Sequence, residues 1–101
     1  MAGTPNILIT RPHNLGAGGI KTAIVGVSQD MYAKWKITGV WKGNDLNFEA
    51  REGLANGLRG TIGTGPTQVQ IAVYLPLMLV SFKKAIEEGI VEFLNKHLKS
   101  G

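Results

Sequence analysis

The chain has 101 residues, of which 44% are hydrophobic and 18% are charged, with a formal net charge of +4. This length gives room for one domain, read here as residues 1–101, and the composition is that of a folded rather than a disordered chain. The absence of cysteine excludes disulfides, thiolate chemistry and cysteine-based zinc or iron–sulfur sites.

The start of the chain and its apolar runs bear on location. Residues 1–6 lack the basic and apolar regions of a secretory signal, and no apolar run reaches the roughly 18 residues that a membrane-spanning helix needs. We therefore expect a cytoplasmic protein without a transmembrane segment.

The first elements are a strand and a helix. Alternation around Ile7 and Ile9, followed closely by Pro12, predicts an edge strand over residues 6–13, because proline cannot donate to a sheet ladder. Apolar side chains then recur at helical spacing and predict a helix over residues 19–35, weakened by Gly26.

Four strands follow the first helix. Period-two alternation predicts strands over residues 36–42, 46–51, 58–62 and 69–75, with a tight turn at residues 43–45 that makes the first two an antiparallel hairpin. Pro76 ends the last strand and has the fixed φ of a first helical residue, so a second helix is predicted over residues 77–98.

The order of elements is therefore β-α-β-β-β-β-α. Strands joined by short turns predict an antiparallel sheet of about five strands, with one face exposed to water and the helices on the other face. The fold class is α+β.

The start of the second helix carries more apolar residues than one sheet can cover. Leu79, Phe82 and Ile86 share the face that points to the core, which leaves Leu77, Met78 and Val80 as a predicted binding surface. The alternative is that the loop at residues 51–57 folds over them. Gly39 and Gly60 fall on the core face of their strands, where they either let a helix approach closely or leave a hollow. A hollow there could be lined by Trp41, Phe48 and Phe93, and the residues expected to line any ligand groove are Trp41, Phe48 and Phe82.

No catalytic constellation is visible. Neither of the two histidines has a convincing carboxylate or nucleophile nearby in sequence. Arg11 and His13 share a strand face and form a possible polar site, for which a structural role is favoured, and His97 is interpreted as a helix-end residue. The chain is expected to have no catalytic residues, no metal site and no cofactor.

Several short motifs together resemble one known family. They are Arg11 and His13 with Leu15-Gly16, Trp41-Lys42-Gly43-Asn44 with Leu46 and Phe48, Gly60-Thr61-Ile62, the alternation from Val69 to Leu75, and Phe82 to Glu87. In this order they resemble the polyhydroxyalkanoic acid system protein family. The resemblance implies a small bacterial protein encoded in gene regions for polyhydroxyalkanoate synthesis and granules, with no catalytic residues to carry over. The arrangement is also similar to a shortened helix-grip fold, an analogy at the level of fold alone.

Three functional hypotheses follow. The first is a non-enzymatic accessory protein of polyhydroxyalkanoate storage, a homodimer that binds a hydrophobic granule surface or a small apolar ligand. The alternative is a nucleic-acid or regulatory module using Lys34, Lys36, Lys42 and Arg59, although the basic residues cluster too weakly for nucleic acid to be the expected partner. The third is a small hydrolase or isomerase centred on His13.

Overall fold

A computed structural model describes residues 4–98, so both ends of the predicted domain 1–101 lie outside the described part. The strands and helices follow the predicted order, which confirms the α+β class. They are β1 (Ile7–Pro12), α1 (Gly16–Trp35), β2 (Ile37–Lys42), β3 (Asp45–Ala50), β4 (Arg59–Thr64), β5 (Gln68–Tyr74), a 3₁₀ segment (Leu77–Phe82) and α2 (Lys83–His97).

The strands form one open antiparallel sheet in the order β1-β5-β4-β3-β2. Because side chains alternate between faces, the registers align one row of apolar residues across the core face: Ile9 opposite Ile71, Ile71 opposite Ile62, and Ile62 opposite Leu46. β1 lies at an edge, as Pro12 predicts.

Both helices cover the same face of the sheet. Their apolar stripes bury Ile24 and Val27 of α1 and Ile90 and Leu94 of α2 completely, together with the inward residues of the strands. The opposite face carries mainly polar side chains and no described helix lies on it. The prediction of one face exposed to water is confirmed.

The first helix begins at Gly16 rather than at residue 19. The glycine-rich stretch at residues 16–19 is therefore the first turn of the helix. At the other end Lys36 adopts a left-handed conformation with φ 60°, and its N–H donates to the carbonyl of Tyr32. This closes α1 and turns the chain directly into β2.

The predicted helix over residues 77–98 is not one continuous α-helix. Pro76 itself is extended, with ψ 157°, and its carbonyl accepts the N–H of Leu79 at 2.8 Å, which starts a 3₁₀ segment. Leu79 is the buried residue of this segment. Because a 3₁₀ helix repeats every three residues, Leu77 and Val80 share a face that points away from the core.

Two strand glycines make room for side chains of the strand between them. A Cβ on Gly39 would lie 2.9 Å from Leu46 Cδ1, and a Cβ on Gly60 would lie 2.5 Å from Phe48 Cζ. Phe48 is opposite Gly39 on one side and Gly60 on the other. Atoms of the sheet therefore occupy the space at both positions, with the Ala72 carbonyl also beside Gly60. The glycines allow close packing, as predicted, but between neighbouring strands rather than with a helix.

Candidate functional site

Exposed apolar side chains cluster at the start of the second helical region. Leu77 is 91% exposed, Met78 76%, Phe82 56% and Val80 41%, and Leu54 in the loop before β4 is 89% exposed. These five residues are called the apolar patch below. The predicted surplus of apolar side chains is thus present on the surface of the single chain.

The loop between β3 and β4 does not cover the 3₁₀ segment. Its Ala55 is only 3% exposed, so the loop is anchored in the core, yet Leu54 next to it points outward. The alternative in which this loop covers Leu77, Met78 and Val80 is therefore wrong.

An apolar pocket of about 230 Å³ opens beside the patch. Its lining combines the end of α1, the loop before β4, the 3₁₀ segment and the first turn of α2. The lining residues are Lys34, Trp35, Leu54, Ala55, Leu79, Phe82, Ala85 and Ile86. Leu54 and Phe82 belong to both the pocket and the patch, so the two share these residues.

Aromatic contacts hold Trp35 and Lys34, the two residues that α1 contributes to the pocket lining. Trp35 and Phe93 meet edge to face with ring centroids 5.7 Å apart and planes at 63°. The Nζ of Lys34 lies 5.2 Å from the Trp35 ring centroid and 5.8 Å from that of Phe93. Both distances are within the range of cation–π attraction.

The aromatic residues predicted to line a groove are not brought together. Phe48 is only 4% exposed and belongs to the core, and it lines the depression on the sheet described below rather than the apolar pocket. Trp41 is half-buried near Lys21, toward the end of β2 that is remote from α1's last residue, Trp35. Of the three, Phe82 alone lines the apolar pocket.

A second, shallower depression of about 630 Å³ lies on the exposed face of the sheet. Its lining includes Asn47, Arg59, Thr61 and Tyr74, with the Arg59 guanidinium 6.0 Å from the Tyr74 ring centroid. Strand alternation predicts the outward direction of these side chains, although the sequence reasoning did not single out the depression.

Arg11 and His13 serve local structure. Arg11 Nη1 donates to Asn95 Oδ1 at 2.7 Å, which ties β1 to α2. His13 Nε2–H donates to the Gly65 carbonyl at 2.8 Å, and its Nδ1 accepts the Leu15 N–H at 3.1 Å. Both ring nitrogens are engaged by the backbone, which leaves neither free to act as a general base.

His97 joins the two helices instead of merely ending one. Its Nε2–H donates to Asp30 Oδ2 at 2.7 Å, and Lys96 Nζ lies 3.5 Å from the same oxygen. The hydrogen bond from His97 lowers the pKa of Asp30 below its ordinary value of 3.8; desolvation opposes this effect and the charge of Lys96 adds to it. Gly26 lies one turn before Asp30 and leaves space for the imidazole, because a Cβ there would be 2.5 Å from His97 Nδ1.

The basic residues of the nucleic-acid hypothesis do not form one surface. Lys34 lies over the Trp35 and Phe93 rings, Lys36 over Tyr32, and Arg59 over Tyr74 on the exposed sheet face. Lys42 lies at the hairpin end of β2, opposite Asp45.

Two features are absent from residues 4–98, namely a cluster of metal ligands and a membrane-spanning helix. Within residues 4–98, no group of three or more His, Cys, Asp or Glu side chains could hold a metal ion. Among the helices of the same stretch, none has the length and apolar character needed to cross a bilayer.

Comparison with known proteins identifies the family of this chain. No curated protein and no solved structure matches the chain significantly. One family profile, described as "Putative polyhydroxyalkanoic acid system protein", matches residues 7–98, a range that includes every strand and helix described above. The resemblance found in the short sequence motifs is confirmed, and the chain belongs to the polyhydroxyalkanoic acid system protein family.

Proposed function

We propose that the protein is a non-enzymatic accessory protein of polyhydroxyalkanoate storage that adheres to the polyester granule through its apolar patch. The patch is the observation that carries this proposal. Contiguous apolar surface on a soluble protein marks a contact with a partner, a ligand or a lipid-like surface. Family membership supports the polyester as the relevant apolar surface.

The exposures indicate how strongly such a surface would be held. Complete burial of a Leu, Met or Val side chain stabilises a contact by about 1.5–3 kcal/mol. Leu77 is 91% exposed and has nearly all of that left to gain, whereas Val80 at 41% has less than half. Because association itself costs several kcal/mol, one patch gives weak, reversible attachment.

The remaining geometry favours binding over catalysis. Both nitrogens of His13 are occupied by backbone groups, and His97 is held by Asp30. Neither histidine is among the residues that line the apolar pocket. The non-enzymatic role is therefore part of the proposal.

Co-sedimentation with polyhydroxyalkanoate particles tests the attachment. We expect the wild-type protein to sediment with the particles, and Leu77→Glu combined with Val80→Glu to reduce the bound fraction at least tenfold, because a buried carboxylate is strongly disfavoured. The matched control is Leu8→Glu with Val40→Glu, which adds the same charges to side chains of 59% and 65% exposure on the other face of the sheet.

The outcomes distinguish a granule surface from a second copy of the chain as the partner that covers the patch. Equal loss in the patch variant and the control would show that added charge, not the patch, determines sedimentation, and would contradict the proposal. Light scattering identifies the predicted homodimer. A wild-type dimer that the patch variant converts to monomer, without sedimentation of either protein, would show that a second copy covers the patch and would refute granule attachment.

A further inference from the structure

The apolar pocket is lined by one cationic residue. Lys34 is the one charged side chain among the described residues that line it, whereas Leu79, Phe82 and Ile86 line it with hydrocarbon. An apolar pocket with a single cation at its edge is suited to a ligand that has a hydrocarbon chain and an anionic end.

The charge of Lys34 is available to such a ligand. In the described part of the chain, the ion pairs within 4 Å involve Arg51, Lys96 and His97, and none involves Lys34. The ammonium group is instead positioned by the Trp35 and Phe93 rings, at 5.2 Å and 5.8 Å from their centroids. Aromatic faces attract a cation without neutralising it, so a carboxylate can still approach.

The size of the pocket limits the chain. A methylene group occupies roughly the volume of one water molecule in the liquid, about 30 Å³. The pocket volume of about 230 Å³ therefore accommodates on the order of seven carbon atoms. Longer chains would extend over Leu54 and Phe82 onto the patch.

We propose that the apolar pocket binds a carboxylate-ended acyl chain of medium length, with the carboxylate on Lys34 Nζ and the chain against Leu79, Phe82 and Ile86. The inference deepens the proposed function and rests on it, since the pocket and the granule-binding patch share Leu54 and Phe82.

Tryptophan fluorescence reports directly on this pocket. Trp35 lines it and Trp41 does not, so Trp41→Phe leaves a single reporter. In that background we expect saturable changes in emission with octanoate, and binding of octanol about tenfold weaker, because one charge-assisted contact is lost. Equal affinities for the two probes, or no saturation with either, would refute the proposal.

Two lysine variants identify the cation. Lys34→Gln is expected to remove the preference for octanoate while octanol still binds, and Lys83→Gln, which changes an exposed lysine outside the pocket lining, is expected to keep the preference. A preference that survives Lys34→Gln would overturn the assignment of the carboxylate to Lys34.

Sedimentation separates this inference from the granule proposal. Lys34→Gln should still sediment with polyester particles, because the patch is unchanged. Particle binding without a preference for octanoate would refute the pocket alone, whereas an octanoate preference without particle binding would refute the granule proposal and leave the pocket supported.

Discussion

Replacing Gly89 with alanine tests how closely the two helices pack. A Cβ at this position would lie 2.7 Å from Cη2 of the Trp35 indole and 2.9 Å from Cζ2. Both distances are shorter than carbon atoms tolerate, and the indole is held against Phe93. Either the ring or the helix must therefore move.

The expected loss of stability follows from two opposing effects. Overpacking a well-filled contact destabilises the fold by about 1–3 kcal/mol, and alanine in place of glycine inside a helix stabilises it by roughly 1 kcal/mol. We expect Gly89→Ala to lower the free energy of unfolding by about 1 kcal/mol, which corresponds to a fall in Tm of roughly 4–8 °C for a domain of this size.

Thermal unfolding followed by circular dichroism provides the assay, with Gly18→Ala as the matched control. Gly18 is also helical, but nothing lies within 4 Å of a Cβ placed there, so alanine should leave the Tm unchanged or raise it. When Gly89→Ala is introduced into a Trp35→Leu protein, it should not lower the Tm below that of Trp35→Leu alone, because the indole is absent. A Tm for Gly89→Ala at or above that of the wild type would refute the reasoning.

Three further predictions address other contacts. The pKa of Asp30 is lowered in the folded chain, so its contribution to stability is present above its ordinary pKa of 3.8 and is lost as the pH falls through the lower folded pKa. In urea titrations at several acid pH values, the free energy of unfolding of Asp30→Asn should therefore depend less on pH than that of the wild type. Gly60→Ala should destabilise more than Gly89→Ala, since its Cβ would clash with a backbone carbonyl, and chemical denaturation measures this. Leu94→Ala should cost about 2–5 kcal/mol by core truncation, whereas Leu77→Ala, at 91% exposure, should change unfolding by less than about 0.5 kcal/mol. Denaturation curves that do not separate the two leucine variants would contradict the placement of Leu77 on the surface.

The strands could be predicted because burial on one face imposes a period of two. Val69, Ile71 and Val73 are all completely buried and all lie on the face that their alternation indicates. The exposed residues of the 3₁₀ segment could be anticipated for a similar reason, because a run of consecutive apolar residues cannot all reach one sheet.

Contacts between distant elements were beyond such patterns. His97 reaches Asp30 because the helices cross where Gly26 leaves space, and no local periodicity encodes that crossing. The same limit applies to Phe48, since a position on the core face does not reveal how deeply a ring is buried. The pocket beside Lys34 likewise depends on how the loop before β4 meets α2.

The place of β1 in the sheet has a consequence for assembly. Strands β2 to β5 form a meander in which each pairs with its neighbour in sequence, but β1 pairs with β5, joining Ile7 to Val73. Closing so long a segment is slower than forming a hairpin. The backbone of β5 therefore offers a vacant hydrogen-bonding edge until β1 docks, and in that interval the β1 of a neighbouring molecule could take its place and produce a strand-swapped pair.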